Sequence, residues 1–150
     1  LMVADKLKSI SDIYGWQFSE GDAYEQNLAD NPDESDLMFI DKIKYLMLYD
    51  YNESTSKNDY GALLYTNYDC MLFFSVRSVF SEPGGYNRTD KYINKVRFDF
   101  EKIKEHFDLC SEWELEVKSI NNKLNQLDTN MDGIMVSCII KYNHNYDNLT

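Results

Sequence analysis

The sequence predicts an α+β fold: an antiparallel sheet of about four strands with one or two helices packed on one face. Three observations carry that expectation. Apolar residues recur at three- and four-residue spacing over 3–14 and again over 92–107, the period of a helix with one buried face. Apolar and charged residues alternate over 113–117, and β-branched side chains crowd 134–142, both marks of strands. Turn signals separate the strand-like runs, so neighbouring strands run antiparallel beside the helices.

Taken in order, Val3, Leu7, Ile10 and either Ile13 or Tyr14 form the stripe of a short helix, and Gly15 stands where a helix ends on a left-handed residue. Trp16 to Phe18 reads as the start of an extended segment. Ser19 to Asp36 follows as an acidic loop, long enough to imply a role or a partner. In 37–51, Ile43, Tyr45, Met47, Tyr49 and Tyr51 alternate with Lys44, Leu46, Leu48 and Asp50, as in a strand; a helix beginning at Ser35 competes for its first half. Residues 52–59 read as a polar connection. The apolar run 62–80 reads as broken near Thr66 and Asn67, with 70–76 its clearest strand, and Ser81 to Gly85 is the strongest turn signal in the chain. Thr89 can cap a helix whose face is Tyr92, Ile93, Val96, Phe100, Ile103 and Phe107. Trp113, Leu115 and Val117 alternate with Glu114, Glu116 and Lys118 in a strand with a charged outer face. That strand continues to Leu127, turns over 128–133 and returns through 134–142. The polar tail 143–150 reads as frayed. All of this fits one domain, 1–150, large enough to bury about two-thirds of its unfolded surface.

The net charge of −11 argues against general nucleic-acid binding, which needs clustered Lys and Arg. The charge is uneven. Between Ser19 and Tyr60 there are 11 acidic residues and three lysines, whereas 86–105 holds six basic residues and four acidic ones. Opposite charges at two ends suit association between copies. The candidate interface residues are accordingly Asp30, Asp33, Glu34 and Asp36 on the acidic side and Arg88, Lys91, Lys95 and Arg97 on the basic side. Twelve Tyr and eight Phe supply amphipathic area suited to sheet faces or subunit contacts. Cys70 and Cys138 sit in apolar runs as small core residues, Cys110 is the third cysteine, and no CxxC or Cys/His cluster points to zinc. A reducing compartment accounts for that usage. The sequons at Asn52, Asn87 and Asn148 carry no weight without a secretory context. The first residues lack a signal-peptide core, and no apolar stretch is long enough to span a bilayer.

The chemical inventory is thin. His106 lies near a helix end beside Cys110, and His144 lies in the polar tail; neither has an evident orienting partner. No nucleotide-loop, hydrolase-elbow or zinc-protease pattern is present. Asp128, Asn130 and Asp132 with Gly133 imitate the first half of a calcium loop. Position twelve, however, is Ile139 rather than a bidentate Glu, so the spacing predicts a β-turn. No catalytic, cofactor or metal site is therefore expected, and the chain is expected not to be an enzyme.

The run Trp113 to Val117, then Asn121 to Gln126, then Asp128-Thr-Asn-Met-Asp-Gly-Ile-Met-Val-Ser-Cys-Ile-Ile-Lys-Tyr142 resembles the C-terminal hairpin of virion proteins from tailed phages. It is similar to the small neck or tail-completion proteins of phages that infect gut Bacteroidetes. The resemblance implies a non-catalytic ring subunit at the head–tail junction, located in the virion. Its partners would be copies of itself and neighbouring virion proteins. An acidic ring lumen would repel passing DNA. The competing expectation is a small acidic inhibitor or immunity-type protein that binds a basic partner.

Overall fold

The computed structural model describes residues 3–21, 39, 42–77, 89–126 and 131–147, with the side chains of 89, 90, 125 and 126 excepted. The elements are α1 (Val3–Tyr14), β1 (Trp16–Glu20), β2 (Lys44–Lys57), β3 (Leu63–Arg77), α2 (Asn94–Asp108), β4 (Trp113–Gln126) and β5 (Met131–Asn143). A π-helical turn, Thr89–Ile93, leads into α2, and a 3₁₀ turn, His144–Tyr146, follows β5. The sheet has five strands in the order β1-β2-β3-β5-β4, one more than the sequence predicts. Among the described residues only β1 departs from the antiparallel pattern: it lies parallel to β2, with Trp16 opposite Lys44 and Glu20 opposite Leu48. A parallel neighbour needs a crossover of a dozen or more residues. The acidic loop read from sequence over 19–36 begins two residues too early, since Ser19 and Glu20 belong to β1, and the 21–43 interval between the two strands has the length that this connection demands.

Both helices lie on one face of the sheet, as expected. Val3, Leu7 and Ile10 of α1, and Val96, Phe100, Ile103 and Phe107 of α2, share a core with alternate residues of the strands. Leu46, Leu48, Leu72, Phe74, Val76, Ile134, Val136, Cys138, Ile140 and Trp113 supply the strand side of it. Tyr92 and Ile93, buried in the π-helical turn, extend the α2 stripe toward the N-terminus. The wider turn spreads the first residues of the stripe, so the α-helix proper begins at Asn94 rather than at a Thr89 cap. The opposite face carries a smaller cluster of Tyr45, Met47, Phe73 and Met131, with Tyr49 and Met135 half-buried against it. Residues 45–48 are thus covered on both faces, which explains their continuous apolar run.

The strands are longer than local sequence indicates. The polar segment 52–57 belongs to β2, because Asn52 to Lys57 pair residue by residue with β3. Thr66 and Asn67 do not break β3, since each is paired on both sides, with β2 and with β5. Strong cross-strand partners override the weak strand propensity of Asn and Ser. Asp132 and Gly133, expected in the turn, lie within β5 opposite Val76 and Ser75. The expected helix start at Ser35, the turn 81–85 and the tip of the last hairpin, 127–130, lie outside the described residues. The tail does not fray before Asp147: Asn143 caps the 3₁₀ turn by accepting a hydrogen bond from the Asn145 amide at 3.0 Å.

Candidate functional site

Of the residues that charge patterning singled out, Asp30, Asp33, Glu34, Asp36 and Arg88 lie outside the described residues. The other three lie on the π-helical turn and the first turn of α2. Lys91 is exposed with its ammonium 5.5 Å from the Tyr92 ring, and Lys95 lies 5.7 Å from the Phe39 ring. Arg97 donates from Nη2 to the Asn122 Oδ1 at 2.9 Å, tying α2 to β4. Nearby, Asp99 holds Lys44 at 3.2 Å and Lys102 at 3.7 Å. Arg97 and Asp99 thus tie the helix to the sheet, while Lys102 and Lys104 pair with Asp99 and Glu101 of the helix itself.

The two histidines have different surroundings. His106 meets Tyr14 Oη through Nδ1 at 3.1 Å, joining the C-terminal ends of the two helices. Burial, aided by Lys6, holds the imidazole below its ordinary pKa. Cys110 is half-buried against the main core and free. The second histidine forms a chain that the sequence does not betray. Thr66 Oγ1 and His144 Nε2 are 2.6 Å apart, and His144 Nδ1 and Asp147 Oδ2 are 2.9 Å apart. Hydrogen bonds from His144 and Tyr142 hold the Asp147 carboxyl below the usual carboxylate range despite the opposing effect of desolvation. A hydroxyl, an imidazole and a carboxylate in this order can relay a proton in principle. Here Thr66 is buried, at 8% exposure, and the His144 ring stands edge-on to Tyr142 at 5.1 Å. Two open depressions among the described residues lie elsewhere: one is lined by Glu20, Gly21, Leu48, Tyr49, Asp50 and Tyr51, the other by residues around Asp69 and Ser137. The chain therefore fastens the segment after β5 back onto β3. No signal short of the β3–β5 register brings Thr66 to His144.

From Met131 onward the apparent calcium loop is strand. Asp132, its fifth position, is fully buried inside β5, and the next two residues are strand as well. Among the described residues, no group of three or more His, Cys, Asp or Glu is placed to hold a metal ion.

What the described surface does offer is an apolar tip and an open edge. β2 and β3 continue as a hairpin to a tight turn in which the Asn58 side chain accepts from the Tyr60 and Ala62 amides, both at 2.9 Å. The Asn58 amide bonds the Ala62 carbonyl at 2.9 Å, and Gly61 takes φ +79°. This braced turn presents Tyr60 at 96% exposure, with Leu63 and Leu64 exposed just behind it. The local signal was legible as Asn58-Asp59-Tyr60-Gly61, an Asn turn with a glycine in the left-handed position. At the far side, β4 ends the sheet, bonded to β5 along its inner edge.

No helix among the described residues is long and apolar enough to cross a membrane. Comparison of the sequence with protein-family models and with curated protein sequences gives no match.

Proposed function

We propose that this chain is a non-catalytic structural subunit of a larger protein assembly. The observation that carries the reading is the hairpin tip: a side chain as large as Tyr60, almost wholly exposed on a hydrogen-bonded turn, with two leucines beside it. A rigid aromatic anchor loses little conformational entropy when it enters a neighbour's pocket, which is why Tyr is enriched at contact hot spots. A ring subunit of the phage head–tail junction is the specific setting that the resemblance of 113–142 supports, with copies of the chain and adjoining virion proteins as partners. The side chains of Thr66, His144 and Asp147 act in that reading as a fastening for the chain's end.

The test is native mass spectrometry of the purified chain, alone and from virions where a source exists, repeated with Tyr60→Ser. The expected result is a discrete ring-sized oligomer, or recovery with portal and tail proteins, lost in the variant while its circular dichroism is unchanged. A monomer that instead captures one basic protein in a one-to-one complex would replace this reading with that of an acidic inhibitor.

A further inference from the structure

We propose that β4 is a self-association strand, through which two copies join antiparallel about a two-fold axis into one continuous sheet. The strand is 14 residues long and stands last in the sheet order, so its outer backbone donors and acceptors form the longest open edge among the described residues. On the helix side of that edge, Leu115, Val117 and Ile120 pack against the core and remain only half-buried, a row of apolar side chains with one flank open. Water is a poor neighbour for such a row, and another strand is a good one.

The occupant follows from the charges. Glu114 and Glu116 fall in the first half of β4, with Lys118 close to its middle, and Lys123 is the one charged residue of the second half. Antiparallel pairing with a second copy lays the net-negative first half of each strand against the half that carries Lys123, whereas the edge is not complementary to an arbitrary strand. One register keeps every pair on a common face. With the axis between Lys118 and Ser119, Val117 meets Ile120 and Leu115 meets Asn122 on the helix side. Glu114 meets Lys123 and Glu116 meets Asn121 on the other, and symmetry gives each pair twice. The face assignments come from β5: Val117 and Ile120 oppose Cys138 and Val136 of the core, while Glu114 and Lys123 oppose Lys141 and Gly133. The irregularity between Val117 and Ser119 falls on the axis, so the two bulges meet each other rather than a regular strand.

Two further facts favour this partner. Neither Glu114 nor Lys123 is in an ion pair among the described residues, whereas Glu116 already holds Lys141 at 3.6 Å. Lys118, a residue type that often guards an edge, has its ammonium 3.3 Å from Asp69 on β3, two strands inward. At the opposite side of the sheet, β1 is only five residues long, and the stretch 50–57 of β2 beyond it is polar apart from Tyr51 and offers no apolar row to match Val117 and Ile120.

The experiment is sedimentation equilibrium of the full chain, compared with Glu114→Lys, Lys123→Glu and the double swap. The wild type is expected to dimerise. Each single swap sets like charges opposite each other twice and should weaken the dimer about tenfold, and the double swap should restore it. Amide exchange over 116–120 should slow as the dimer fills, which reads the same contact without any substitution. A wild type still monomeric at about 1 mM overturns the proposal, because even a weak contact populates a dimer there. A dimer indifferent to both single swaps, or with unchanged exchange over 116–120, overturns it too. The inference does not rest on the virion setting: a chain that dimerises through β4 yet enters no larger assembly upholds it while removing the reading proposed above.

Discussion

A β-carbon at position 133 would stand 2.7 Å from the Ser75 Cα and closer still to the Phe74 carbonyl oxygen. Backbone cannot yield as a flexible side chain can, so this glycine is required by the close approach of β5 to β3 rather than by a turn. Gly133→Ala should cost about 2–3 kcal/mol of stability, read as a lower urea midpoint at unchanged slope. Cys70 and Cys138 face each other across the same pair of strands, both buried. A hydrogen bond with Cys70, and then burial, push the Cys138 thiol up from its ordinary range. Because the thiolate is the nucleophile, a chromogenic disulfide reagent should find one fast thiol in the native protein, Cys110, with the other two reacting only on unfolding. Cys110→Ser should abolish the fast phase; a fast phase that persists would contradict the burial of the pair.

At the scale of elements, α2 is held by one face and the two residues that best test its register are neighbours. Phe100 is fully buried with its ring 4.8 Å from Phe74, whereas Phe98 is 67% exposed. Phe100→Ala should cost about 3–5 kcal/mol and Phe98→Ser less than about 0.5 kcal/mol, measured by chemical denaturation. The contact between Tyr14 of α1 and His106 of α2 makes the helix pair sensitive to pH. Desolvation, with Lys6, lowers the folded-state pKa of His106 below its unfolded value near 6.5. Protons then bind the unfolded state more readily, so stability should fall as pH drops from 6.5 toward the lower folded value. His106→Gln should flatten that part of the thermal-melting profile. The depressed Asp147 carboxyl acts in a separate window: its contribution is complete above the unfolded carboxylate pKa of about 4 and is lost as pH falls below it through the lower folded value. Residues 52–57 are polar because they lie at the solvent-rich end of a hairpin, and pairing with β3 makes them strand regardless.

Across the whole molecule, the five strands make one sheet because β5 inserts between β3 and β4 and because β1 returns parallel to β2. Those two choices place Cys70 beside Cys138, Thr66 beside His144, and the charged strand β4 at an open edge. They also turn the tyrosine-bearing hairpin outward at Tyr60 while both helices cover the other strands from one side. The acidic composition sets the field around this shape, but the basic residues of α2 are drawn into contacts with Phe39, Asn122 and Asp99. Charge counting along the chain could not anticipate that, because it ignores which charges the fold consumes.

By itself the sequence determined the α+β class, the stop of α1 at Gly15, the buried stripe of α2, the charged outer face of β4 and the core positions of Cys70 and Cys138. Each of these follows from periodicity or from a residue's own conformational range, quantities that a window of a few residues contains. Tertiary structure alone decided the parallel placement of β1, the continuity of β3 through Thr66 and Asn67, the strand state of Asp132 and Gly133, and the fastening of His144 to Thr66. These depend on which distant backbone lies alongside, since hydrogen bonds from a paired strand outweigh local preferences of Asn, Ser and Gly worth no more than about 1 kcal/mol each.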